Sequence, residues 1–277
     1  MNKMEPTISV LVAVYNGAST VERCINSVTS QTYARTELVV IDGGSTDGTK
    51  NILECHAADL HYWVSEKDNG IYDAWNKALA RCTGDWICFI GADDYLWSSD
   101  VVERLVPKLV AADADVVYGS VSIVSKTGDL IRTEGVPWEQ ARVSFTQAMS
   151  IPHPGLLHRK ELFEKHGNFD DSFKIAGDWD FLLRVLPHGK ALFVPDVTTV
   201  GFQHGGISNT PAAMGRMLKE FALVRRKHGL REGMARFSSV RIKMTICALV
   251  VSLIGERGFR ELADTARKLT GRPSVWK

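Results

Sequence analysis

The first half of the chain alternates short apolar runs with segments in which apolar residues recur every three or four positions. The runs predict strands, and the spaced segments predict amphipathic helices. We place strands at residues 8–14, 38–41, 60–64 and 86–90, with two more near 116–118 and 121–124. This alternation is typical of an α/β domain, in which helices flank a mostly parallel sheet.

The predicted helices of this half have well-defined apolar faces. The first follows Ser19, a suitable N-cap residue, and its face consists of Val21, Cys24, Ile25 and Val28. Further helices are predicted around residues 52–53, over 71–79 and, after Asp94, over 98–112. The turn residues at 127–129 predict a hairpin.

The second half is less regular and predicts a different organisation. From about Pro152 the pattern indicates an α+β elaboration of the same sheet, and beyond Pro211 it indicates helices only. We therefore expect a body over residues 1–210 and a C-terminal helical extension over 211–277. The longest apolar stretch, residues 244–254, is shorter than the roughly 20 residues that a membrane-spanning helix needs.

Composition and charge narrow the class of protein. The 277 residues include 45% hydrophobic and 23% charged residues, as in an ordinary globular protein. The net charge of +1 lacks the basic excess expected of a protein that binds nucleic acid. The charge is nevertheless uneven, because basic residues concentrate in the extension: Arg225, Arg226, Lys227, Arg231, Arg236, Arg241 and Lys243.

The cysteines and the N-terminal residues indicate the cellular compartment in which we expect the protein. The five cysteines form no CxxC pair and lie mostly within apolar patterns, which predicts free thiols in a reducing compartment. The first seven residues are polar and lead directly into a strand, without an apolar signal segment. We therefore expect a cytoplasmic protein that is soluble or peripheral on the inner face of the cytoplasmic membrane.

Glycine and acidic residues follow each of the first four predicted strands, at residues 15–17, 42–48, 66–70 and 91–94. Ligands of open parallel sheets bind at the carboxyl ends of the strands, so these segments are expected to share one edge. The glycines at 43, 44 and 48 fit neither G-x-G-x-x-G nor, without the required Lys-Ser/Thr, a P-loop.

The acidic residues of this edge indicate a hard cation. One or two carboxylates together with phosphate oxygens usually hold Mg²⁺ or Mn²⁺, and the sequence places no basic residue beside these acids. Asp93 and Asp94 are the best placed of them. The alternative is that this pair caps the following helix, although two adjacent acids exceed what a cap requires.

Several ordered motifs make residues 7–210 resemble family 2 glycosyltransferases, which have the GT-A (Rossmann-like) fold. The motifs are ISVLVAVYNG (8–17), INSVTSQT (25–32), VVIDGGSTDGT (39–49), DNGIYDAWNKA (68–78) and GADD (91–94). The sequence is similar to bacterial enzymes that build cell-surface polysaccharides. The resemblance implies an inverting transfer to an acceptor hydroxyl from a nucleotide sugar, a UDP-sugar first and a GDP- or dTDP-sugar next, with Mn²⁺ or Mg²⁺ as cofactor.

The resemblance also implies roles for individual residues. The turn Val14-Tyr15-Asn16 and the loop of Asp42, Gly44 and Ser45 would hold the nucleoside, and Asp68 would lie near the ribose and diphosphate. Asn76, Lys77 and Asp93 join this donor-binding set. Asp94 is the expected metal ligand, with His204 as a further candidate. The chain departs from the commonest family pattern at Asp42-Gly43, where many members have two acids, and at the unspaced pair Asp93-Asp94.

A later segment, GDWDFLLR (177–184), matches the Glu-Asp element of the family, whose Asp is the catalytic base. On that match Asp178 is the base, which must come within hydrogen-bond reach of the acceptor hydroxyl. Asp180 competes for this role, but it is also a first-turn acid of the kind that the helix dipole favours. Trp179 is a candidate to stack on a sugar, and His153 is a candidate to line the acceptor side.

The sequence leaves two alternative functions open. The first is a sugar-phosphate nucleotidyltransferase, which should have a basic glycine-rich loop near the N-terminus; residues 15–18 contain no Lys or Arg, which disfavours it. The second is a non-catalytic subunit that binds a nucleotide sugar.

The extension also has two interpretations. It could dock on an anionic membrane that carries a lipid-linked saccharide acceptor, through its basic residues and the apolar face of Ile246, Leu249, Val250 and Leu253. Alternatively, it packs on the body or on a second subunit of a homodimer.

Overall fold

One mixed sheet forms the centre of the body, as seen in a computed structural model that describes residues 5–205, 211–230 and 236–269. Within these ranges the strands are β1 (Ile8–Val14), β2 (Thr36–Asp42), β3 (Tyr62–Ser65), β4 (Trp86–Gly91), β5 (Tyr95–Leu96), β6 (Val116–Val124), β7 (Leu130–Glu134), β8 (Leu157–Arg159) and β9 (Ala191–Gln203). The helices are α1 (Val21–Thr29), α2 (Thr49–Cys55), α3 (Ile71–Leu79), α4 (Val101–Ala111), α5 (Trp138–Phe145), α6 (Glu161–His166), α7 (Gly177–Val185), α8 (Pro211–Lys227) and α9 (Arg236–Leu269), with a 3₁₀ turn at Ala57–Asp59.

The strand order is β3-β2-β1-β4-β8-β6-β9-β5, with β7 paired to β6. Strands β1 to β4 pair in parallel, and β6 runs parallel to β9. The antiparallel pairings involve β5, β7 and β8. The predicted α/β class with a mostly parallel sheet is therefore confirmed.

The first predicted elements lie close to the observed ones. Strand β1 covers the predicted residues 8–14, and α1 buries the predicted face of Val21, Cys24, Ile25 and Val28. Two helix starts were wrong by a few residues. Thr20 rather than Ser19 occupies the N-cap position of α1, and α4 begins only at Val101.

The two strands predicted at 116–118 and 121–124 are a single strand, β6. The polar and small residues Gly119 and Ser120 interrupt the apolar run, and the pairing of β6 with β9 shifts register at these residues. A Cβ atom at Gly119 would lie 2.1 Å from the Val197 carbonyl oxygen, so only glycine allows this close approach. The predicted hairpin is confirmed between β6 and β7, where the Ser125 N–H donates to the Asp129 carbonyl at 2.8 Å.

Side chains of the sheet alternate between two apolar cores, one on each face. In β1, for example, Leu11 lies in one core, whereas Val10 and Val12 lie in the other. Helices α3 and α5 to α8 cover the face of Leu11, and helices α1, α2 and α4 cover the opposite face. Both faces are therefore covered, as a parallel sheet requires.

The helical extension divides into two parts with different surroundings. Helix α8 packs into the body: Val224 is fully buried, and the rings of Phe221 and Trp179 lie 4.8 Å apart. Helix α9 packs on α8, is broken at Gly255, and exposes apolar side chains that include Ile246 and Leu253. The boundary at residue 210 stays a prediction, although α8 shares the core of the body.

Several basic residues of the predicted membrane-docking surface lie wholly or partly outside the part of the chain that the structure describes. Arg231 lies outside the described residues, as do the side chains of Arg236, Arg241 and Lys243. Among the helices that are described, none is both long and apolar enough to cross a membrane. The five cysteines are free thiols, as predicted.

Candidate active site

A cleft of about 710 Å³ lies at the carboxyl ends of β1 and β4. The chain builds the sheet outward from β1 to β2 and β3, then returns to the other side of β1 at β4. Loops therefore diverge between β1 and β4, which is where α/β sheets bind ligands. Of the predicted site residues, the cleft is lined by Val14, Tyr15, Asn16, Asp93, Asp94, Asp178 and the candidate His153.

The turn after β1 and the loop after β2 are joined by hydrogen bonds. The Asn16 N–H donates to Ser45 Oγ at 2.7 Å, and the Thr46 N–H donates to Asn16 Oδ1 at 2.9 Å. The two predicted nucleoside-binding segments are thus neighbours in the structure. Between them Tyr15 is 66% exposed at the edge of the cleft, which makes its ring available for stacking.

Asp42 is fully buried and does not line the cleft. Its carboxylate accepts hydrogen bonds from the N–H and hydroxyl of Ser45 and, at 2.5 Å, from the hydroxyl of Ser65. These bonds fix the loop in which Gly44 adopts a left-handed φ of 82°. In this position Asp42 holds the loop in shape, and its predicted contact with the nucleoside stays a prediction.

Asp68 lies against Gly43, the position at which the family resemblance implies a second acid. A Cβ atom at Gly43 would lie 2.5 Å from Asp68 Oδ2, so a side chain there would displace the carboxylate. Asp68 Oδ1 accepts the Gly70 N–H at 2.8 Å. The acid missing after Asp42 is therefore replaced in space by an acid from the loop after β3.

Asn76 and Lys77 do not reach the cleft. The Asn76 amide donates to the Phe169 carbonyl at 2.9 Å and accepts the Phe169 N–H at 3.1 Å. Lys77 Nζ lies 2.9 Å from Glu66 and 3.6 Å from Asp73. Both side chains hold α3 to neighbouring segments, and their predicted place in the donor-binding set stays a prediction.

The acid pair follows β4, and Gly91 shapes it. A Cβ atom at Gly91 would lie 2.7 Å from Asp93 Oδ1 and 3.3 Å from Asp94 Oδ2, so glycine lets both carboxyl groups fold over the strand end. Asp94 is 2% exposed and accepts the N–H groups of Gly91 (3.2 Å) and Gln203 (3.1 Å). Asp93 is more exposed. The pair does not cap α4, whose N-cap position is Asp100, so that interpretation is wrong.

Burial places both acids in an unfavourable setting for negative charge. It raises the pKa of Asp93, and burial together with the charge of Asp93 raises the pKa of Asp94 well above its usual value. Arg23 on α1 opposes these shifts: its Nη2 donates to the Asp93 carbonyl at 2.7 Å and to Gln203 Oε1 at 3.0 Å. The sequence missed this cation, which lies far from the pair along the chain, so the expectation of no nearby basic residue was wrong.

The chemistry of the pair fits a divalent cation. Two adjacent buried carboxyl groups supply oxygen ligands, and a cation would relieve the repulsion between their ionised forms. Across the described ranges, no three His, Cys, Asp or Glu side chains are grouped to hold a metal ion. His204 therefore does not join Asp93 and Asp94 in such a group, and its predicted ligand role stays a prediction. Its backbone N–H donates to the Val124 carbonyl at 2.8 Å.

Asp178 lines the cleft from the first turn of α7. Its Oδ1 accepts the Trp179 N–H at 2.7 Å and lies 3.2 Å from the Tyr72 hydroxyl, which also donates to the Ile175 carbonyl at 2.7 Å. Burial raises the pKa of Asp178 to about 6, despite these hydrogen bonds. Burial also raises the pKa of Tyr72 well above its usual value, so the hydroxyl stays a donor. Both contacts involve Oδ1.

The neighbours of Asp178 on α7 have structural roles. Asp180 is fully buried, and its carboxylate lies 2.9 Å from His228 Nε2, 3.0 Å from Lys227 Nζ and 3.5 Å from Arg184 Nη2. This arrangement agrees with the structural interpretation of Asp180. Trp179 is also fully buried and donates from Nε1 to the Phe145 carbonyl at 2.8 Å, so the idea that it stacks on a sugar is wrong.

His153 and Trp75 also line the cleft. Their rings lie 5.4 Å apart, and His153 is 3% exposed. Burial lowers the pKa of His153 well below its usual value, so the imidazole is neutral at physiological pH. His153 Nε2 and Trp75 Nε1 are buried without a hydrogen-bond partner among the described residues. The predicted place of His153 in the cleft is confirmed, while its contact with an acceptor stays a prediction.

Comparison with known proteins bears on the class of enzyme. Residues 9–167 match the family described as "Glycosyl transferase family 2". A "PGL/p-HBAD biosynthesis glycosyltransferase" of Mycobacterium bovis is 30% identical over 215 residues, which cover 74% of this chain and 80% of the relative. "Glycosyltransferase AglE" of Haloferax volcanii is 28% identical over 231 residues, covering 79% of this chain and 72% of that protein.

Solved structures share the fold. The mannosyltransferase PcManGT from Pyrobaculum calidifontis, in complex with GDP-Man and Mn²⁺, superposes with a TM-score of 0.63 at 22% identity, covering 96% of this chain and 81% of that one. S. aureus TarS in complex with UDP-GlcNAc gives 0.61 at 18% identity, covering 79% and 66%. The family match spans more than half of the chain and a relative at 30% identity spans most of it, so the protein belongs to glycosyl transferase family 2.

Proposed function

We propose that this glycosyltransferase is an inverting enzyme, in which Asp178 is the base that activates an acceptor hydroxyl. The donor is a nucleoside-diphosphate sugar. One observation carries the proposal: a single cleft is lined by the isolated acid Asp178 and by the acid pair Asp93 and Asp94. Family membership favours sugar transfer over nucleotidyl transfer.

The environment of Asp178 suits proton abstraction. With a pKa of about 6, its carboxyl group is mostly ionised at neutral pH and more basic than an ordinary aspartate. The acceptor hydroxyl transfers its proton to the carboxylate while its oxygen attacks the anomeric carbon. The bond from that carbon to the diphosphate breaks on the opposite side, which inverts the configuration. Tyr72 and the Trp179 N–H hold Oδ1, and Oδ2 accepts the proton.

Asp94, together with the more exposed Asp93, would hold a divalent cation, Mn²⁺ or Mg²⁺, along with diphosphate oxygens. Bound there, the cation would stabilise the negative charge that develops on the departing diphosphate. Support comes from the burial of both carboxyl groups and from the Mn²⁺ bound by the mannosyltransferase of similar fold. Arg23 contributes positive charge beside the pair.

The nucleoside would bind at the turn of Val14, Tyr15 and Asn16, with the Asp42 loop and Asp68 behind it. The exposed ring of Tyr15 offers a surface on which a base can stack. Solved relatives of the same fold hold UDP-GlcNAc or GDP-Man, so the choice of base is open to experiment. A UDP-sugar is the first donor to test, followed by GDP- and dTDP-sugars.

A saccharide or lipid-linked saccharide of bacterial surface polysaccharide or glycolipid synthesis is the proposed acceptor. The exposed Ile246 and Leu253 of α9 support docking at the inner face of an anionic membrane. Two basic residues of α8 do not contribute, because Arg225 is buried and Lys227 Nζ lies 2.7 Å from Asp170 in the body. Pelleting with anionic but not neutral vesicles is expected, whereas equal pelleting would contradict an electrostatic contribution.

The direct test is turnover with purified protein. We expect release of the nucleoside diphosphate from at least one donor in the presence of Mn²⁺ or Mg²⁺, with a lipid extract as acceptor source. The anomeric configuration of the product, determined by NMR, should be opposite to that of the donor. Calorimetric donor binding without turnover across all acceptors would instead favour a non-catalytic subunit, and a retained configuration would exclude the inverting mechanism.

A further inference from the structure

Glu220 on α8 reaches the backbone just before the proposed base. Its side chain is buried, with 7% exposed, and its carboxylate accepts three consecutive backbone N–H groups. The Lys174 N–H lies 3.0 Å from Oε1, and the N–H groups of Ile175 and Ala176 lie 2.8 Å and 3.0 Å from Oε2. These residues immediately precede Gly177, the first residue of α7.

The segment that Glu220 holds is itself a wall of the cleft. Lys174, Ile175 and Asp178 all line it. From the other side, the Tyr72 hydroxyl donates to the Ile175 carbonyl at 2.7 Å and contacts Asp178 Oδ1 at 3.2 Å. The peptide units around Ile175 are therefore fixed between α3 and α8, and the first turn of α7 starts from that fixed point.

Helix α8 is well anchored for such a role. Val224 lies in the apolar core, and Phe221 packs on Trp179, the residue that follows Asp178. Further along, Lys227 and His228 contact the buried Asp180 of α7. Helix α8 and the residue after it thus hold α7 through the backbone amides before α7 and through an aromatic and an ionic contact with its first turn.

We propose that Glu220 is a positioning residue for Asp178, which makes α8 part of the catalytic unit rather than an appendage. By fixing the amides of residues 174–176, it sets where the carboxyl group of Asp178 lies in the cleft. The proposal rests on the proposed role of Asp178 as the base. An error of about 1 Å in such a position can lower turnover about 10²-fold.

The charge of Glu220 also acts on Asp178. Burial raises the pKa of Asp178, and the negative charge of Glu220 raises it further. Among the described residues, Tyr72 from α3 contacts Asp178 Oδ1. The other titratable or charged side chains that line the same cleft are Lys174, His153, Asp93, Asp94 and Glu134. Replacing Glu220 by a neutral residue should therefore lower the pKa of Asp178.

Two substitutions separate the charge of Glu220 from its reach. Glu220→Gln keeps the length and removes the charge, so we expect a lower kcat and an acidic limb of the kcat–pH profile displaced to lower pH. Glu220→Asp keeps the charge but is shorter by about 1.5 Å. For this variant we expect kcat to fall roughly 10- to 100-fold, with the acidic limb near its wild-type position and the KM for the donor unchanged.

Glu161→Gln provides the matched control, because Glu161 is exposed at the start of α6 and undergoes the same chemical change. Hydrogen exchange of the amides of residues 174–176 supplies a readout that needs no turnover. Exchange should accelerate in both Glu220 variants and not in the control. If wild type shows no turnover, the proposed function fails, while the exchange data still test whether Glu220 holds this segment.

Three results would overturn the positioning role. One is unchanged exchange at residues 174–176 in either folded variant. Another is accelerated exchange with wild-type kcat, since the held segment would then not set the base. The third is a Glu220→Gln variant whose kcat falls while its acidic limb stays in place. Thermal unfolding identifies a variant that fails to fold, in which case the other variant decides.

Discussion

Two aspartates of one helix, Asp178 and Asp180, show how surroundings separate chemistry from structure. Both lie in the first turn of α7, where Asp180 is fully buried and Asp178 is half-buried at the wall of the cleft. The Asp180 carboxylate lies close to Lys227 at the end of α8, to His228 directly after it and to Arg184 of α7. Asp178 points into the cleft, where its partners are the hydroxyl of Tyr72 and one backbone N–H.

This difference explains why only one of them suits catalysis. Lys227, His228 and Arg184 surround the carboxylate of Asp180. Asp178 has no cation hydrogen-bonded to it among the described residues, and burial raises the pKa of Asp178. A carboxyl group in the second setting can accept a proton at neutral pH. The pair Asp93 and Asp94 is a third case, in which two like charges lie together and favour a divalent cation.

The largest expected effect is on turnover in Asp178→Asn. Removal of a general base lowers kcat by about 10²- to 10⁴-fold, and donor binding should persist because the nucleoside segments are untouched. Steady-state kinetics and donor calorimetry measure the two quantities separately. Asp180→Asn is the matched control two residues away, and its folded protein should keep most of its kcat. Normal turnover of Asp178→Asn would contradict the assignment of the base.

The next effect concerns the acid pair. Asp94→Asn removes one carboxylate from the proposed cation site, and we expect kcat with Mn²⁺ to fall about 10²-fold, since a bound cation contributes several kcal/mol to the transition state. The stabilisation of the protein by a nucleoside diphosphate should also lose its dependence on Mn²⁺ in a thermal-shift assay. Unaltered Mn²⁺ dependence in both Asp94→Asn and Asp93→Asn would place the cation elsewhere.

Stability should change in opposite directions when the two aspartates of α7 are replaced. The raised pKa of Asp178 in the folded state means that its protonated form contributes stability below about pH 4, and that this contribution is lost as pH rises through about 6. At pH 7.5 Asp178→Asn should therefore be more stable than wild type by about 2 kcal/mol, after allowance for partial exposure to the cleft. The gain should disappear near pH 4.

Asp180→Asn should instead be less stable than wild type by about 2 kcal/mol, because it removes charged hydrogen-bond partners of Lys227 and His228. Denaturant unfolding at pH 7.5 measures both variants under one set of conditions. The same sign for both substitutions would show that the surroundings of the two carboxyl groups do not differ as the structure indicates.

The last and smallest expected effect is the dependence of kcat on pH in the wild-type enzyme. Because Asp178 must be ionised to accept a proton, kcat should be half of its plateau near pH 6 and should fall about tenfold per unit below that. The profile is measured with a saturating donor, so that it reports the enzyme–substrate complex. Below pH 6 an Asp180→Asn enzyme should follow the same limb, whereas a displaced limb would link Asp180 to the proton transfer.

Local patterns predicted most of the first half of the fold. The apolar face of α1 and the run of β1 lie where the sequence placed them, since the burial of alternating or helically spaced residues is a local property. The exception is β6, because Gly119 and Ser120 interrupt its apolar run and led to the prediction of two strands in place of one. Only the close approach of β9 shows why a small residue continues the strand there.

The sequence predicted only part of the candidate site. Motifs identified Asp93, Asp94 and Asp178, but they also included Asn76 and Lys77, whose side chains hold α3 to nearby segments. They missed Arg23 and Glu220, which reach the site from distant parts of the chain. A motif records which residues are near in sequence, whereas contact with the cleft depends on how helices pack across the sheet.

By itself, the sequence determined the α/β class, the common edge of the loops after the first parallel strands, and the acids that belong to that edge. These follow from the periodicity of apolar residues and from the geometry of parallel strands. Only the tertiary structure decided what each acid does. Burial and charged neighbours set the protonation of a carboxyl group, and those neighbours come from helices far apart in the chain.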